Sequence, residues 1–228
     1  MNQPYVDDKL IHFGFSLGTG LTSYTVTESG VPVSGKWNND QVGEFQDQLV
    51  YPREMHPGFN FSVGFITDLR LARCLNLRFI PELHFEERSI TYKIESYPDQ
   101  DPKTLPQVNI LSIPIYFPIL LKWSADRESN YRPYVVAGGG VSYDFGRKKE
   151  NIVLQQPFDY FVQVGFGCDF YFRWFKLCPE IKYQLGFNNM ITPLDKHPEL
   201  PNKEADGFYT SSIDRLRSHM VSIVFNFE

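Results

Sequence analysis

The sequence has no run of the roughly 20 consecutive apolar residues that a helix needs to cross a bilayer. Its longest apolar stretch, 110–121, is interrupted by Pro114 and Pro118. That excludes a helical membrane protein but not a membrane barrel, whose strands each carry only a weak signal. Cysteine is scarce, three in 228 residues, and no zinc-binding pattern can be drawn from it. The histidines, His12, His56, His84, His197 and His219, also lack metal-ligand spacing, so no metal or cofactor is expected. No glycine-rich phosphate loop is present, because Gly138–Gly140 has no following lysine and helix. No Ser-His-Asp order suggests a hydrolase. Positive charge is not in excess: the formal net charge is −5, which argues against nucleic acid as a partner. No export signal follows Met1, and the numbering is read as that of a mature chain.

What the sequence does have is aromatic residues and alternation. Aromatics make up 16% of the chain, with 20 Phe and 13 Tyr, a bias toward strands and aromatic girdles. A chain of this length is expected to be one domain, 1–228. The clearest pattern runs from Phe158 to Asn188. Phe158, Tyr160, Val162, Val164, Phe166, Cys168, Phe170 and Phe172 alternate with mostly small, polar or charged residues. That is a period of two, hence a strand with one apolar and one polar face. Near Arg173–Trp174 the parity switches, and Phe175, Leu177, Pro179, Ile181, Tyr183, Leu185 and Phe187 become the apolar set. A two-residue hairpin turn requires this switch if both apolar faces lie on one side of the sheet. Cys168 and Cys178 then fall on opposite faces, and no disulfide is expected between them.

The same alternation recurs along the chain. It predicts strands at about 10–21, 57–67, 75–92, 109–124, 131–145, 158–173, 175–188 and 217–228. Pro114 and Pro118 are awkward inside a strand, and bulges would accommodate them. The connections alternate long, short, long, short, long, short, long. The long ones, near 22–56, 95–107, 146–157 and 189–215, are polar and rich in Pro, Asp or Gly. Outer-membrane barrels have an even number of strands, short periplasmic turns and longer external loops. The expected fold is therefore all-β: an eight-stranded antiparallel up-and-down transmembrane β-barrel in the outer membrane, with both termini periplasmic.

A soluble lipocalin-like barrel would bury the apolar face instead. The other face decides against it. That face carries Arg78, Glu82, His84, Lys122, Arg132, Asp144, Asp169, Glu180 and Lys182 among many glycines. Glycines weaken an exposed strand, whereas a narrow lumen needs small residues and can pair its charges internally. Asp169, Glu180 and Lys182 are expected inside, with Arg78 and Arg132 as charge partners. A catalytic reading is available, because Glu82 and His84 share a face, Asp169 lies opposite Cys178, and Asp144 and His84 sit toward the long loops. The structural reading, a salt-bridged plug replacing an apolar core, explains the same residues without requiring a substrate. At about eight strands the lumen is filled by side chains and an open pore is not expected.

The segments LIHFGFSLGTGL, PGFNFSVGFITDLRLARCLNLRFIPELHFEER, SIPIYFPILLKW, NYRPYVVAGGGVSYD, FVQVGFGCDFYF and FKLCPEIKYQLGFNN resemble the outer-membrane β-barrel proteins of Bacteroidetes. They are most similar to the PorT (gliding-motility SprT) family, over about 10–228. The resemblance implies a non-enzymatic component of the type IX secretion system, which exports cargo with C-terminal secretion signals and serves gliding motility in some bacteria. It implies outer-membrane lipid, the large translocon barrel and associated secretion proteins as partners. It implies no catalytic residues, no cofactor and no small-molecule substrate. The alternative is a stand-alone small structural or porin-like barrel.

Overall fold

Alternation at this length leaves each strand with unpaired backbone groups on both edges, and in lipid these must all be satisfied by neighbouring strands. The computed structural model, which describes residues 2, 6–37, 43–95, 107–146, 152–196 and 203–228, meets that demand by closing a ring. Its elements are β1 (Ile11–Glu28), β2 (Val33–Trp37), β3 (Gly43–Gln48), β4 (Val50–His56), β5 (Gly58–Ala72), β6 (Leu75–Phe79) and β7 (Glu82–Ile94). They continue with β8 (Gln107–Ser112), β9 (Pro114–Ser124), β10 (Tyr131–Asp144), β11 (Phe158–Tyr171), β12 (Lys176–Gly186), the helix α1 (Lys203–Ser211) and β13 (Ile213–Phe227).

The ring has eight walls, because β4–β5, β6–β7 and β8–β9 each act as one interrupted strand. All pairings are antiparallel. The seam joins the first wall to the last: Phe15 pairs with Phe227 and Leu21 with Val221. The Phe15 and Phe227 rings stack there with centroids 4.7 Å apart. The turn at Arg173–Trp174 has the expected two-residue geometry, with the Phe172 amide donating to the Phe175 carbonyl at 3.0 Å.

The prolines need no bulges. Above them Glu82 pairs with Tyr116, and below them Phe79 pairs with Ile119, with no change of register. Pro81 and Pro118 both fall in the short unpaired interval between those two pairs. The missing N–H groups of the two neighbouring walls thus share one gap. Pro114 adjoins a second interruption, where the Ile113 amide donates instead to the Asp144 carboxylate at 3.0 Å.

Side chains alternate across the wall as the period requires. Along β11, Tyr160, Val162, Val164 and Phe166 point outward and are 42–59% exposed, while Phe161 and Gln163 are buried. β9, β12 and the Val221–Phe227 part of β13 show the same pattern, and their outward residues form one apolar band without charges. Two glycines make room for inward aromatics. A Cβ at Gly140 would meet the Phe161 ring at 2.8 Å, and a Cβ at Gly167 would meet the Tyr134 ring at 2.5 Å. These glycines let Phe161 and Tyr134 lie across a narrow lumen.

The long connections differ most from expectation. Much of 22–56 is strand: β1 runs on to Glu28, and β2–β3 and β4 follow. β7 extends to Ile94, and β13 begins at Ile213 within the region expected to be loop. These extensions stand above the apolar band and enclose their own core. Tyr24, Ile90, Tyr92, Ile110, Phe208 and Leu216 are among its buried members, and the Tyr92 and Tyr209 rings meet edge to face at 4.9 Å. Burial raises the Tyr92 hydroxyl above its ordinary pKa, so it stays neutral. Alternation alone missed this core because its residues come from several separate segments. The parts of the expected loops at 38–42, 96–106, 147–151 and 197–202 lie outside the described residues.

A charge on the outward face of β11 should hinder assembly. Val164→Arg near the middle of the band is expected to cost about 2–4 kcal/mol of folding stability in lipid. Gly165→Ala should be milder but not silent, because its methyl would lie 2.9 Å from the Ile181 carbonyl. Heat-modifiable gel migration after folding into vesicles checks both, and equal folding of the two variants would contradict this facing.

Candidate functional site: the charged lumen and its closed ends

Charges enter a barrel interior only in pairs, since desolvating an isolated ion costs several kcal/mol. The centre of the lower lumen is Arg78, fully buried on β6. Its guanidinium donates to Asp68 at 2.9 Å, to Glu180 at 2.7 Å and to the Glu228 side chain at 2.8 Å. These carboxylates come from β5, from β12 and from the residue after β13, so one cation ties its own wall to three others. Glu228 also pairs with Lys176. Lys122 holds Asp169 through both carboxylate oxygens at 2.8 and 2.7 Å. The Lys122 ammonium lies 3.9 Å from the centre of the Tyr134 ring, and the Tyr134 hydroxyl donates to Glu180 at 2.6 Å.

A second chain of contacts climbs toward the upper end. Lys182 meets Glu82 at 3.3 Å and Glu180 at 3.5 Å. Glu82 meets His84 at 3.3 Å, and His84 lies 3.7 Å from Glu86. Glu86 pairs with Arg88, whose guanidinium stacks over the Tyr24 ring at 4.4 Å. The Asn60 amide donates to Glu86 at 2.9 Å and contacts the His84 ring nitrogen at 3.0 Å.

Seven of the nine residues expected in the lumen are thus brought together: Arg78, Glu82, His84, Lys122, Asp169, Glu180 and Lys182. Two are not. Arg132 is not a partner of Asp169 or Glu180. It sits at the short-turn end, donates to the Ala125 and Arg73 carbonyls, and meets Asp7 at 3.7 Å. Its position near the start of β10 carries the long side chain past the rim. Asp144 accepts backbone amides from Ile113 and Gly146, at 3.0 and 2.9 Å, and so caps the interruption between β8 and β9. Asp68, Glu86, Arg88, Lys176 and Glu228 are the charged members that sequence reasoning left out. All lie on the inward parity of their strands, so the alternation marked them. Asp68 fell outside because its strand was ended at 67.

Both ends of the lumen are closed by protein. At the short-turn end a helical turn, Val6–Asp8, inserts Asp7 between Arg127, at 3.2 Å, and the Tyr171 hydroxyl, at 2.7 Å. Arg127 lies 3.4 Å above the Tyr171 ring. At the other end the core beneath α1 covers the mouth. Between them lie cavities of about 20 and 10 Å³, room for single waters only. Among the described residues the charged interior is thus cross-linked from wall to wall, and a wider cavity of about 290 Å³ opens beside His56, Glu87 and Arg88. Among the described residues no group of His, Cys, Asp and Glu side chains could hold a metal ion. The three cysteines are free, with Cys178 inside and Cys168 half exposed on the other face.

A closed antiparallel ring, apolar outside and charged inside, defines a small membrane-spanning β-barrel. A family model described as outer membrane protein beta-barrel domain matches residues 2–192, and the chain belongs to that family and to the outer membrane. Solved structures with a similar fold include Neisserial surface protein A (NspA), at 10% identity, covering 96% of this chain and 98% of that one, with a TM-score of 0.42. OprG from Pseudomonas aeruginosa is 8% identical over 94% of this chain and 93% of its own, with a TM-score of 0.46. Ail, the attachment invasion locus protein of Yersinia pestis, is 9% identical over 94% and 96%, with a TM-score of 0.33. No curated protein gives a significant match.

Arg78→Met should leave the buried Asp68 carboxylate without a cation and remove one of the two cations that hold each of Glu180 and Glu228. Breaking a buried pair typically costs about 3–5 kcal/mol, so the urea midpoint in detergent should fall sharply. Arg132→Met should shift it far less, and equal shifts would show that the brace is not centred on Arg78.

Proposed function

We propose that this barrel is a non-enzymatic accessory of the type IX secretion machinery, supporting export of cargo with C-terminal secretion signals and, where present, gliding motility. The observation that carries this reading is the sequence resemblance to the PorT family across the barrel strands, sharpest at GFGCDFY and FKLCPE in β11 and β12. The plugged lumen supports a role without transport or turnover of small molecules, and weighs against the porin-like alternative. A barrel with no usable interior acts through its surfaces. Its outer wall and its packed extension would bind the large translocon barrel or associated secretion proteins. In this reading the short turns and both termini are periplasmic, and the extension with α1 faces the cell exterior.

Deleting the gene should leave cargo with C-terminal signals trapped in the periplasm, measured by fractionation and immunoblotting. Normal export would refute the secretion role. Orientation has its own test. Val31, 59% exposed between β1 and β2, replaced by cysteine in a chain whose native cysteines are serines, should react with an impermeant maleimide on intact cells. Labelling only after lysis would reverse the topology.

A further inference from the structure

The outward row of β13 changes chemistry at one level. From the seam upward it reads Phe225, Ile223, Val221, then His219, Arg217, Arg215. The first three are 43–49% exposed and belong to the apolar band. The inward residues Leu216, Ser218 and Met220 remain buried throughout, so the strand has not rotated. The lipid-facing row therefore runs directly into a cationic one, at the height where the hydrocarbon ends. The neighbouring strand adds hydroxyls: Ser23 pairs with His219, Thr25 with Arg217 and Thr27 with Arg215. His219 Nδ1 lies 3.4 Å from the Thr25 hydroxyl. The Arg217 Nε is buried and has no protein partner, and neither arginine is in an ion pair among the described residues. Arginines two apart on one strand face stand about 7 Å from each other. Glu28, opposite Ile213, bounds the patch above.

We infer that Arg215 and Arg217, with the Thr25 and Thr27 hydroxyls, form a binding site for the phosphate of a phosphorylated outer-leaflet glycolipid whose acyl chains lie along Val221 and Ile223. Guanidinium groups bind phosphate through paired, charge-assisted hydrogen bonds. A partly desolvated Nε at the membrane surface lacks only the acceptor. The threonine hydroxyls suit the sugar to which the phosphate is attached. This site rests on the orientation proposed above. Its test in detergent does not, so reversed maleimide labelling would refute the orientation, and loss of lipid binding would refute the site.

The test uses the purified full chain in detergent micelles, titrated with bisphosphorylated lipid A and followed by native mass spectrometry. The folded protein should retain the glycolipid, and the R215Q/R217Q variant should bind it about tenfold or more weakly, with heat-modifiable migration unchanged. R215K/R217K should fall between them, since the charge remains and the fork is lost. Dephosphorylated lipid A and phosphatidylglycerol should each bind wild type more weakly than lipid A, comparisons that need no variant. Equal binding of dephosphorylated lipid A, equal binding of phosphatidylglycerol, or undiminished binding by folded R215Q/R217Q would each overturn the proposal.

Discussion

Closure of the backbone hydrogen-bond ring is the constraint on which the rest depends. In hydrocarbon no edge strand is tolerated, because each unpaired N–H or C=O costs several kcal/mol. The pairing of β1 with β13 removes the last edge, and it spans Phe15↔Phe227 to Glu28↔Ile213, well beyond the apolar band. Once the ring is closed, the period of two gives every residue one of two environments. Lipid takes one set, and the other must fill a narrow interior.

That interior has no apolar core of the ordinary kind. Its place is taken by Arg78 and the carboxylates of Asp68, Glu180 and Glu228, with Lys122, Lys176 and Lys182 completing the balance. Such a brace gains little net energy over apolar packing, but losing one member leaves a buried charge uncompensated. It therefore favours one relative placement of the walls. Gly140 and Gly167 serve the same end by letting Phe161 and Tyr134 cross the lumen. Packed aromatics and paired charges thus fill the interior together among the described residues.

The extension changes the picture of the protein beyond the membrane. Stretches with the composition of loops are strands and a helix around a real core, with Phe208 and Tyr209 of α1 packed at its centre. The other rim is shaped by the N-terminal turn, where Asp7, Arg127 and Tyr171 interlock.

The sequence by itself determined the barrel. Alternation, the parity switch at Arg173–Trp174, the long and short connections and the position of charges on the glycine-rich face follow from local rules, because a strand's facing has a period of two wherever it occurs. Parity also marked most of the lumen, including Lys176 and Arg88, which lie within the expected strands 175–188 and 75–92, whereas Asp68 needed a longer strand than the one ended at 67. Pairing across the lumen was decided by the tertiary structure. Whether Arg78 or Arg132 meets Glu180 depends on shear and tilt around the closed ring, and these place Arg78 at the centre and Arg132 at the rim. The same holds for the core beneath α1, whose residues come from separate segments even where, as at Ile90, Tyr92 and Ile94, they alternate along one strand, and for Asp144, whose partners exist only where β8 gives way to β9. Facing is a property of one strand, whereas partnership is a property of the whole ring.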